Sequence, residues 1–266
     1  MNKKNKIIIR EFLTKNKFFW LYNIISLLKL KYYAITEVLL NNDKAIIAAK
    51  PTYSRDGFAT THHVEFLQDM HFITSFNNSF DGIPINLQSM LRNIDWRAHI
   101  CTWAATRALA LDDGDFVECG VWYGVLSKVI CEYTDFSRQD RNFYLIDVWG
   151  GIEVHDNWYA KDIYDIVAQR FESYNNVHLV RGFIPDILDT IPTQKIAYLS
   201  IDMNGALAER AALEYFYEKM VPGGVIYFDD YGWGYPELRL TVNQFFSDKP
   251  ERLLLFPGGV SIVIKH

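Results

Sequence analysis

Three aspartates follow two neighbouring β-rich runs in the second half of the chain. Asp202 ends the run Ile196 to Asp202. Asp229 ends the next run, Val225 to Asp229, and Asp230 follows it directly. Because the carboxyl ends of adjacent parallel strands meet at one edge of a sheet, we expect these carboxylates to share a site. They would repel one another without a cation, and hard oxygen ligands with room for water suit Mg²⁺. Alternatively, Asp202 and Asp230 only cap the helices that follow them.

A glycine-containing turn follows an earlier β-rich run. The run Asp115 to Glu118 leads into Cys119, and Gly120 and Gly124 then open a predicted helix. Glycine allows a tight turn and a close approach of a ligand to the backbone. The spacing is G-x-x-x-G, which differs from the G-x-G-x-x-G turn that seats a dinucleotide pyrophosphate on a helix N-terminus. The turn therefore favours a ligand without phosphate.

Carboxylates end the first two β-rich runs. Glu118 ends the first, and Asp147 ends the second, Asn142 to Asp147. S-adenosylmethionine has a sulfonium cation, an ammonium group and a ribose with two hydroxyls, so acidic strand ends suit it. We expect Glu118 to hold the amino group or its waters and Asp147 to accept from the ribose hydroxyls. The alternative is that both are ordinary strand-end carboxylates that face water.

The elements that must position these residues alternate regularly after Asp112. The predicted strands are Asp115 to Glu118, Asn142 to Asp147, Val177 to Arg181, Ile196 to Asp202, Val225 to Asp229, Arg252 to Phe256 and Val260 to Lys265. The predicted helices are Tyr123 to Tyr133, Tyr159 to Ser173, Leu207 to Met220 and Pro236 to Phe246. Strand-helix alternation indicates a parallel sheet with helices on both faces, and a Pro-Gly-Gly turn makes the last two strands antiparallel.

The predicted fold class is therefore α/β. It is a doubly wound, mostly parallel seven-stranded sheet that closes with a C-terminal antiparallel hairpin. This is the Rossmann-like layout of class I methyltransferases, whereas an ordinary dinucleotide-binding sheet lacks the final hairpin.

Several stretches resemble, in order and spacing, the macrocin O-methyltransferase (TylF-like) family. They are Gly114 to Trp122, Tyr144 to Gly151, Val180 to Asp186, Ser200 to Asp202, and Pro222-Gly223-Gly224 through Phe228 to Gly232. The resemblance covers about residues 85 to 266. Its most specific part is the pairing of Asp202 with Asp229-Asp230-Tyr231.

The resemblance implies a magnesium-dependent O-methyltransferase that uses S-adenosylmethionine and acts on a sugar or another glycosylated small molecule. The implied cofactor-binding residues are Glu118, Gly120, Val121, Trp122, Gly124, Asp147, Gly182 and Asp202. The implied metal ligands are Asp202, Asp229 and Asp230, and Asp202 is also assigned to catalysis.

One position departs from the family pattern. The family reads Asp-x-Asp after the fourth strand, where this chain has Asp202-Met203-Asn204. The second aspartate is the expected general base, and an amide cannot take a proton near neutral pH. Either the metal alone acidifies the hydroxyl, or a base comes from elsewhere, or the acceptor differs from a sugar hydroxyl. His155 is the alternative base, because the pKa of histidine lies near working pH.

Three other functions remain open from the sequence. An NAD-dependent oxidoreductase could use a similar sheet, but the dinucleotide turn is missing and the terminal hairpin argues against it. Asn204 is compatible with a methyltransferase-fold binding protein that has lost or altered catalysis. A catechol-type O-methyltransferase would use the same metal site on an aromatic diol.

Composition narrows the partners and the compartment. A net charge of -5 argues against nucleic-acid binding, which needs a clustered basic face. The three cysteines, Cys101, Cys119 and Cys131, show no paired spacing. We expect free thiols in a reducing, cytoplasmic compartment, without a disulfide framework or a zinc site.

Residues 1 to 84 form a predicted, mainly helical N-terminal extension ahead of a methyltransferase domain at 85 to 266. The apolar run Phe18 to Leu28 would rise only about 16 Å as a helix, which is too short for a bilayer core of about 30 Å. We expect this run to form an amphipathic helix that packs on the domain or on a second subunit of a homo-oligomer. Residues 1 to 84 as a whole are the candidate lid or oligomerisation region. The less favoured alternative is contact with a membrane surface.

Overall fold

The computed structural model describes residues 51–150, 163–234 and 236–266. Pro51–His266 forms one compact unit. The predicted amphipathic helix at Phe18 to Leu28 lies outside the described residues, so the N-terminal extension, its role in oligomerisation and the division at residue 84 stay predictions.

The described chain contains nine strands and seven α-helices. The strands are β1 (Tyr53–Arg55), β2 (Phe58–Thr60), β3 (Asp115–Cys119), β4 (Phe143–Asp147), β5 (Val177–Arg181), β6 (Ile196–Ile201), β7 (Met220–Phe228), β8 (Leu254–Leu255) and β9 (Ser261–Ile264). The helices are α1 (Met70–Asn78), α2 (Ile85–Leu91), α3 (Asp95–Leu109), α4 (Val125–Tyr133), α5 (Ile163–Phe171), α6 (Ala206–Phe216) and α7 (Pro236–Phe245). Among the helices described, none is long and apolar enough to cross a membrane.

Seven of the strands form one sheet in the order β5-β4-β3-β6-β7-β9-β8. Its first five strands pair in parallel, whereas β9 pairs antiparallel with both β7 and β8. The strand order reverses between β3 and β6, and a ligand crevice is expected there beyond the carboxyl ends of the strands. The predicted class I methyltransferase sheet with its closing antiparallel hairpin is confirmed.

Both faces of this sheet are covered, as expected for parallel strands in an α/β fold. All five residues of β4 are buried, and its side chains alternate between two hydrophobic clusters. Phe143 and Leu145 pack in the cluster that includes α3 and α4, whereas Tyr144 and Ile146 pack in the cluster that includes α6 and α7. Alternation over a strand buried on both faces explains why its sequence is a continuous apolar run.

Several element boundaries differ from those predicted. Strand β7 begins at Met220, earlier than the predicted Val225, and includes Pro222-Gly223-Gly224, where its register against β6 shifts. Helix α5 is described from Ile163 onward, because the residues before it lie outside the described part. The hairpin β1–β2 was not among the predicted elements, because its three-residue strands are too short for a periodic signal.

Residues 51–84 pack into the same core as the sheet. Tyr53, Phe66 and Phe72 are buried in the hydrophobic cluster that also contains residues of α3 and of the central strands. Helix α1 packs against α4, and α3 contacts the strands β6 and β7. Asp56, in the turn of the hairpin β1–β2, lines a cavity at the carboxyl edge of the sheet.

Gly120 marks the closest approach of two chain segments at that edge. Its φ is +87°, and an added Cβ would lie 1.8 Å from the carbonyl oxygen of Asp202. The Asp202 amide donates to the Cys119 carbonyl over 2.8 Å, which holds the two strand ends together. Only glycine therefore fits between β3 and the residue that follows β6.

We expect Gly120→Ala to displace Asp202 and to lower the free energy of unfolding by more than about 3 kcal/mol, combining left-handed strain with a backbone clash. Gly57→Ala is the matched control, because Gly57 has a φ of +72° and no described atom lies within 4 Å of an added Cβ. We expect this control to lose only about 1 kcal/mol. Urea unfolding compares the two variants, and equal losses would contradict the close approach.

Candidate active site

A cavity of about 530 Å³ lies at the carboxyl edge of the sheet, at the reversal of strand order. Five of the predicted cofactor-binding residues line it, namely Gly120, Trp122, Asp147, Gly182 and Asp202. Apolar side chains to which the sequence assigned no role complete the wall, including Met90, Phe183, Ile184, Met203 and Ala208. Its size lies within the range of small-molecule and cofactor sites.

Asp147 holds the glycine turn in place from the neighbouring strand. Its Oδ2 accepts from the backbone amides of Val121 and Trp122 over 2.7 and 2.8 Å, and its Oδ1 accepts from the amide of Trp149 over 2.8 Å. A carboxylate oxygen can accept more than one hydrogen bond, so Oδ1 keeps capacity for a ligand donor. Asp147 therefore positions the turn and also faces the cavity in which we expected it to bind ribose.

A second cavity of about 440 Å³ adjoins the first and shares Met90, Trp122 and Asp202 with it. Glu118 and Val121 line this second cavity and not the first. Because Asp202 faces both cavities, it lies at the junction between them.

Glu118 is buried, and its Oε2 has no hydrogen-bond partner among the described atoms. Burial raises the pKa of Glu118 to about 8, and the nearby charges of Asp229 and Asp147 add to the increase. A cationic ligand in the second cavity would favour the ionised form of this carboxyl group and supply its missing partner.

Gly124 and Gly182 serve the backbone of the site. Gly124 precedes α4 with a φ of +69°, and an added Cβ would lie 2.8 Å from the ring of Phe171. Gly182 lies at the end of β5, and an added Cβ would lie 2.3 Å from Ile187. Gly182 lines the first cavity. Gly124 does not line it, and affects only the conformation of the turn.

The three predicted metal ligands lie together. Asp202, Asp229 and Asp230 each offer a carboxylate oxygen, and these oxygens lie within 4.8 Å of one another. The register of β6 and β7 places Ile201 beside Phe228, so Asp202 and Asp229 leave the sheet side by side. Oδ2 of Asp230 is buried and has no hydrogen-bond partner among the described atoms.

Burial, followed by mutual repulsion, determines the electrostatics of this cluster. Burial raises the pKa of Asp202 well above its usual range, and the charges of Asp229 and Asp230 add to it. Burial also raises the pKa of Asp230 to about 6, with Asp229 as the next cause. Carboxylates held this close favour a bound cation, because it relieves the repulsion.

Arg97 was missed by the sequence analysis and lies at the centre of the site. Its Nη1 donates to Oδ2 of Asp229, and its Nε donates to Oδ2 of Asp56 over 2.7 Å. Tyr227 occupies the other oxygen of Asp229 through a hydroxyl donor at 2.7 Å. No motif marked Arg97, because it lies within an otherwise regular helix, α3.

Of the two positions considered for the general base, 204 and 155, the structure describes only the first. Asn204 lines the first cavity and has a φ of +53°, a left-handed conformation that Asn and Asp tolerate. His155 lies outside the described residues, so its assignment as a base stays a prediction. Glu209, which the sequence did not indicate, is buried, and burial raises its pKa to about 7.

Family comparison decides the class of this site. A family model described as Macrocin-O-methyltransferase (TylF) matches residues 104–250, which is more than half of the chain. The chain belongs to this family. It is therefore an S-adenosylmethionine-dependent methyltransferase, as the resemblance implied. No curated protein sequence matches the chain significantly.

Solved structures share the fold of this TylF-family protein. The O-methyltransferase NovP is 23% identical with a TM-score of 0.54, and the match covers 64% of this chain and 79% of NovP. CalS11, a TDP-rhamnose 3'-O-methyltransferase of calicheamicin biosynthesis, is 16% identical with a TM-score of 0.52, covering 76% of this chain and 96% of CalS11. At these identities the likeness shows the class I methyltransferase fold.

The raised pKa of Glu118 makes the stability of this methyltransferase depend on pH. The folded protein keeps the Glu118 proton up to about pH 8, whereas the unfolded chain releases it near 4.5. Because the folded state binds more protons in this window, its free energy of unfolding falls as the pH rises from about 5 to about 8.

Glu118 should make the free energy of unfolding fall by a value on the order of 3 kcal/mol between about pH 5 and about pH 8, and we expect Glu118→Gln to abolish this part of the fall. Urea unfolding of the ligand-free protein at about pH 5 and about pH 8 measures it. Glu172→Gln, at an exposed position, serves as the control and should keep the wild-type slope. A Glu118→Gln slope equal to that of the wild type would contradict the burial argument.

Proposed function

We propose that the chain methylates a hydroxyl group of a sugar or glycosylated small molecule, with S-adenosylmethionine as methyl donor and Mg²⁺ as a cofactor. The observation that carries this proposal is the cluster of Asp202, Asp229 and Asp230 at the junction of the two cavities. Membership of the TylF family supports the donor, and CalS11 offers a sugar-modifying example on the same fold.

The first cavity fits S-adenosylmethionine. Phe183, Ile184 and Met203 supply apolar surface for the adenine, and Asp147 lies where a ribose hydroxyl could donate to its Oδ1. Asp202 and Glu118 lie toward the second cavity, where their carboxylates suit the ammonium and sulfonium groups. The donor would therefore lie across the strand ends with its methyl group directed to the second cavity.

The carboxylate cluster fits a divalent cation. Two ligands on opposite sides of an octahedral Mg²⁺ lie about 4.2 Å apart, close to the 4.8 Å limit of the aspartate oxygens. Arg97 balances only part of the charge, because it pairs with both Asp56 and Asp229. The partnerless Oδ2 of Asp230 and the raised pKa of Asp202 leave a role for a cation.

The second cavity suits the acceptor. Asp56 and Asn93 offer polar atoms for hydroxyl groups, while Leu91 and Ile94 offer apolar surface for carbon faces. The cation in this described wall, Arg97, is already bound by two carboxylates. An uncharged polyol therefore suits this cavity better than an anionic group.

The residues divide the reaction between them. When bound, the cation supplies a lowered pKa for an acceptor hydroxyl, and S-adenosylmethionine supplies the methyl group. Asp202 faces both cavities and is therefore placed to orient both reactants. Asn204 cannot remove the hydroxyl proton, so this protein relies on the cation or on another base.

Calorimetry with S-adenosylhomocysteine, NAD and Mg²⁺ tests the proposal on the full chain. We expect S-adenosylhomocysteine to bind and NAD not to bind. We expect Asp230→Asn to weaken Mg²⁺ by more than about 10-fold, because it removes a charged ligand while the cofactor cavity stays intact. Asp248→Asn, at a side chain that is 79% exposed, is the matched control.

The outcomes separate the rival functions. Binding of NAD without S-adenosylhomocysteine would overturn the methyltransferase assignment for this chain. Binding of S-adenosylhomocysteine with no Mg²⁺ binding removes the metal from the proposal. Binding of both, with no methyl transfer to any sugar, glycoside or catechol tested, favours a binding protein that has lost catalysis.

Asn204→Asp tests the missing base. The exchange is nearly isosteric, and Asp tolerates the left-handed backbone of this position. If proton removal limits the rate, we expect a gain in kcat of about 100-fold and an acidic limb in the pH–rate profile. An unchanged kcat, with the same pH profile as the wild type, would show that the reaction does not need a base at position 204.

A further inference from the structure

Two crossed ion pairs fasten the hairpin β1–β2 to the start of α3. Arg55 of the hairpin donates to Asp95 of the helix, and Tyr53 donates to the same carboxylate over 2.6 Å. In the opposite sense, Arg97 of the helix donates to Asp56 of the hairpin turn through Nε at 2.7 Å and Nη2 at 3.1 Å. Two separate ion pairs, to Asp95 and to Arg97, therefore hold the hairpin against the first turn of α3.

The second of these ion pairs continues into the carboxylate cluster. While Nε and Nη2 of Arg97 bind Asp56, Nη1 binds Asp229 at the end of β7. All three guanidinium nitrogens are thus engaged, and the indole ring of Trp233 covers the guanidinium carbon at 5.0 Å. Because Arg97 is only 8% exposed, this bridge is protected from water.

The hairpin turn is also seated tightly against the C-terminal hairpin of the sheet. An added Cβ on Gly258 would lie 2.7 Å from Oδ2 of Asp56. Asp56, Arg97 and Asp229 all line the second cavity. The bridge therefore joins one wall of the cavity that we assign to the acceptor with one of the proposed metal ligands.

We propose that Arg97 is a positioning residue that couples the hairpin β1–β2 to the carboxylate cluster, so that Asp229 is correctly oriented only while Asp56 is in place. This inference rests on the proposed function for its catalytic consequence. Its structural content, a link between two segments far apart in sequence, does not depend on that function.

The geometry explains why the residue is an arginine. A planar guanidinium can bind one carboxylate through two nitrogens and a second carboxylate through the third. A lysine ammonium keeps the charge but cannot hold both carboxylates in fixed orientations. Arg97→Lys therefore removes the bridge between the two carboxylates while it keeps the positive charge.

Hydrogen exchange of the full-length, ligand-free protein tests the coupling directly. In Arg97→Lys, we expect amide exchange to rise about threefold or more in two segments together, the hairpin 53–60 and the strand end 228–233. Arg55→Gln is the matched control, because it breaks the other ion pair of the same hairpin and leaves Arg97 intact. It should raise exchange in the hairpin alone.

Ligand binding and kinetics supply the functional readout. We expect Arg97→Lys to weaken Mg²⁺ about 10- to 100-fold in calorimetry, as loss of a group that orients a metal ligand does. It should also lower kcat more than it raises the KM for the acceptor, whereas Arg55→Gln should leave Mg²⁺ affinity unchanged. Asp56→Asn, which keeps the shape of the side chain, should share the Arg97→Lys pattern.

Unchanged exchange at 228–233 in Arg97→Lys would overturn the coupling, as would an equal response to Arg55→Gln at that segment. If Arg97→Lys does not fold, as shown by its thermal unfolding, Asp56→Asn decides the question by the same measurement. If the wild type binds no Mg²⁺, the metal part of the proposed function fails. The exchange result still decides the coupling.

Discussion

The packing of three aspartates at the ends of β6 and β7, of which Asp229 is buried and Asp202 and Asp230 are partly buried, is the constraint on which the site depends. Parallel pairing brings Asp202 and Asp229 side by side, and burial removes the water that would screen them. Burial raises the pKa of Asp230, and the nearby charge of Asp229 adds to the increase. A site built in this way costs free energy of folding in the absence of a cation, which is why we propose that it binds one.

At the same edge of the sheet, the glycine turn and Asp147 fix the backbone between β3 and α4. The backbone between β3 and α4 must pass close to Asp202, which only Gly120 allows. Asp147 then binds the amides of Val121 and Trp122, so one strand end fixes the loop of its neighbour. A carboxylate that holds the scaffold in this way can also face the cofactor, because two oxygens provide several acceptor positions.

The chain before the sheet completes the site from the other side. The hairpin β1–β2 and helix α3 form a wall of the second cavity, and Arg97 extends from that wall to Asp229. The cofactor side therefore rests on strand ends, which parallel pairing makes rigid. The side that we assign to the acceptor rests on a small hairpin held by ion pairs, and such an element varies more readily among proteins of one fold than strand ends do.

Sequence was sufficient for the sheet and for much of the site. Strands buried on both faces are apolar runs, the Pro-Gly-Gly turn requires an antiparallel ending, and acidic residues after successive strands must meet at one edge. Sequence could not show that Glu118 faces the second cavity, that Asp147 holds the glycine turn, or that the hairpin β1–β2 exists. Nor could it find Arg97, which reaches Asp229 across 132 residues of chain. Periodicity reports local structure, whereas the partner of a buried charge depends on which distant segments the folded chain brings together.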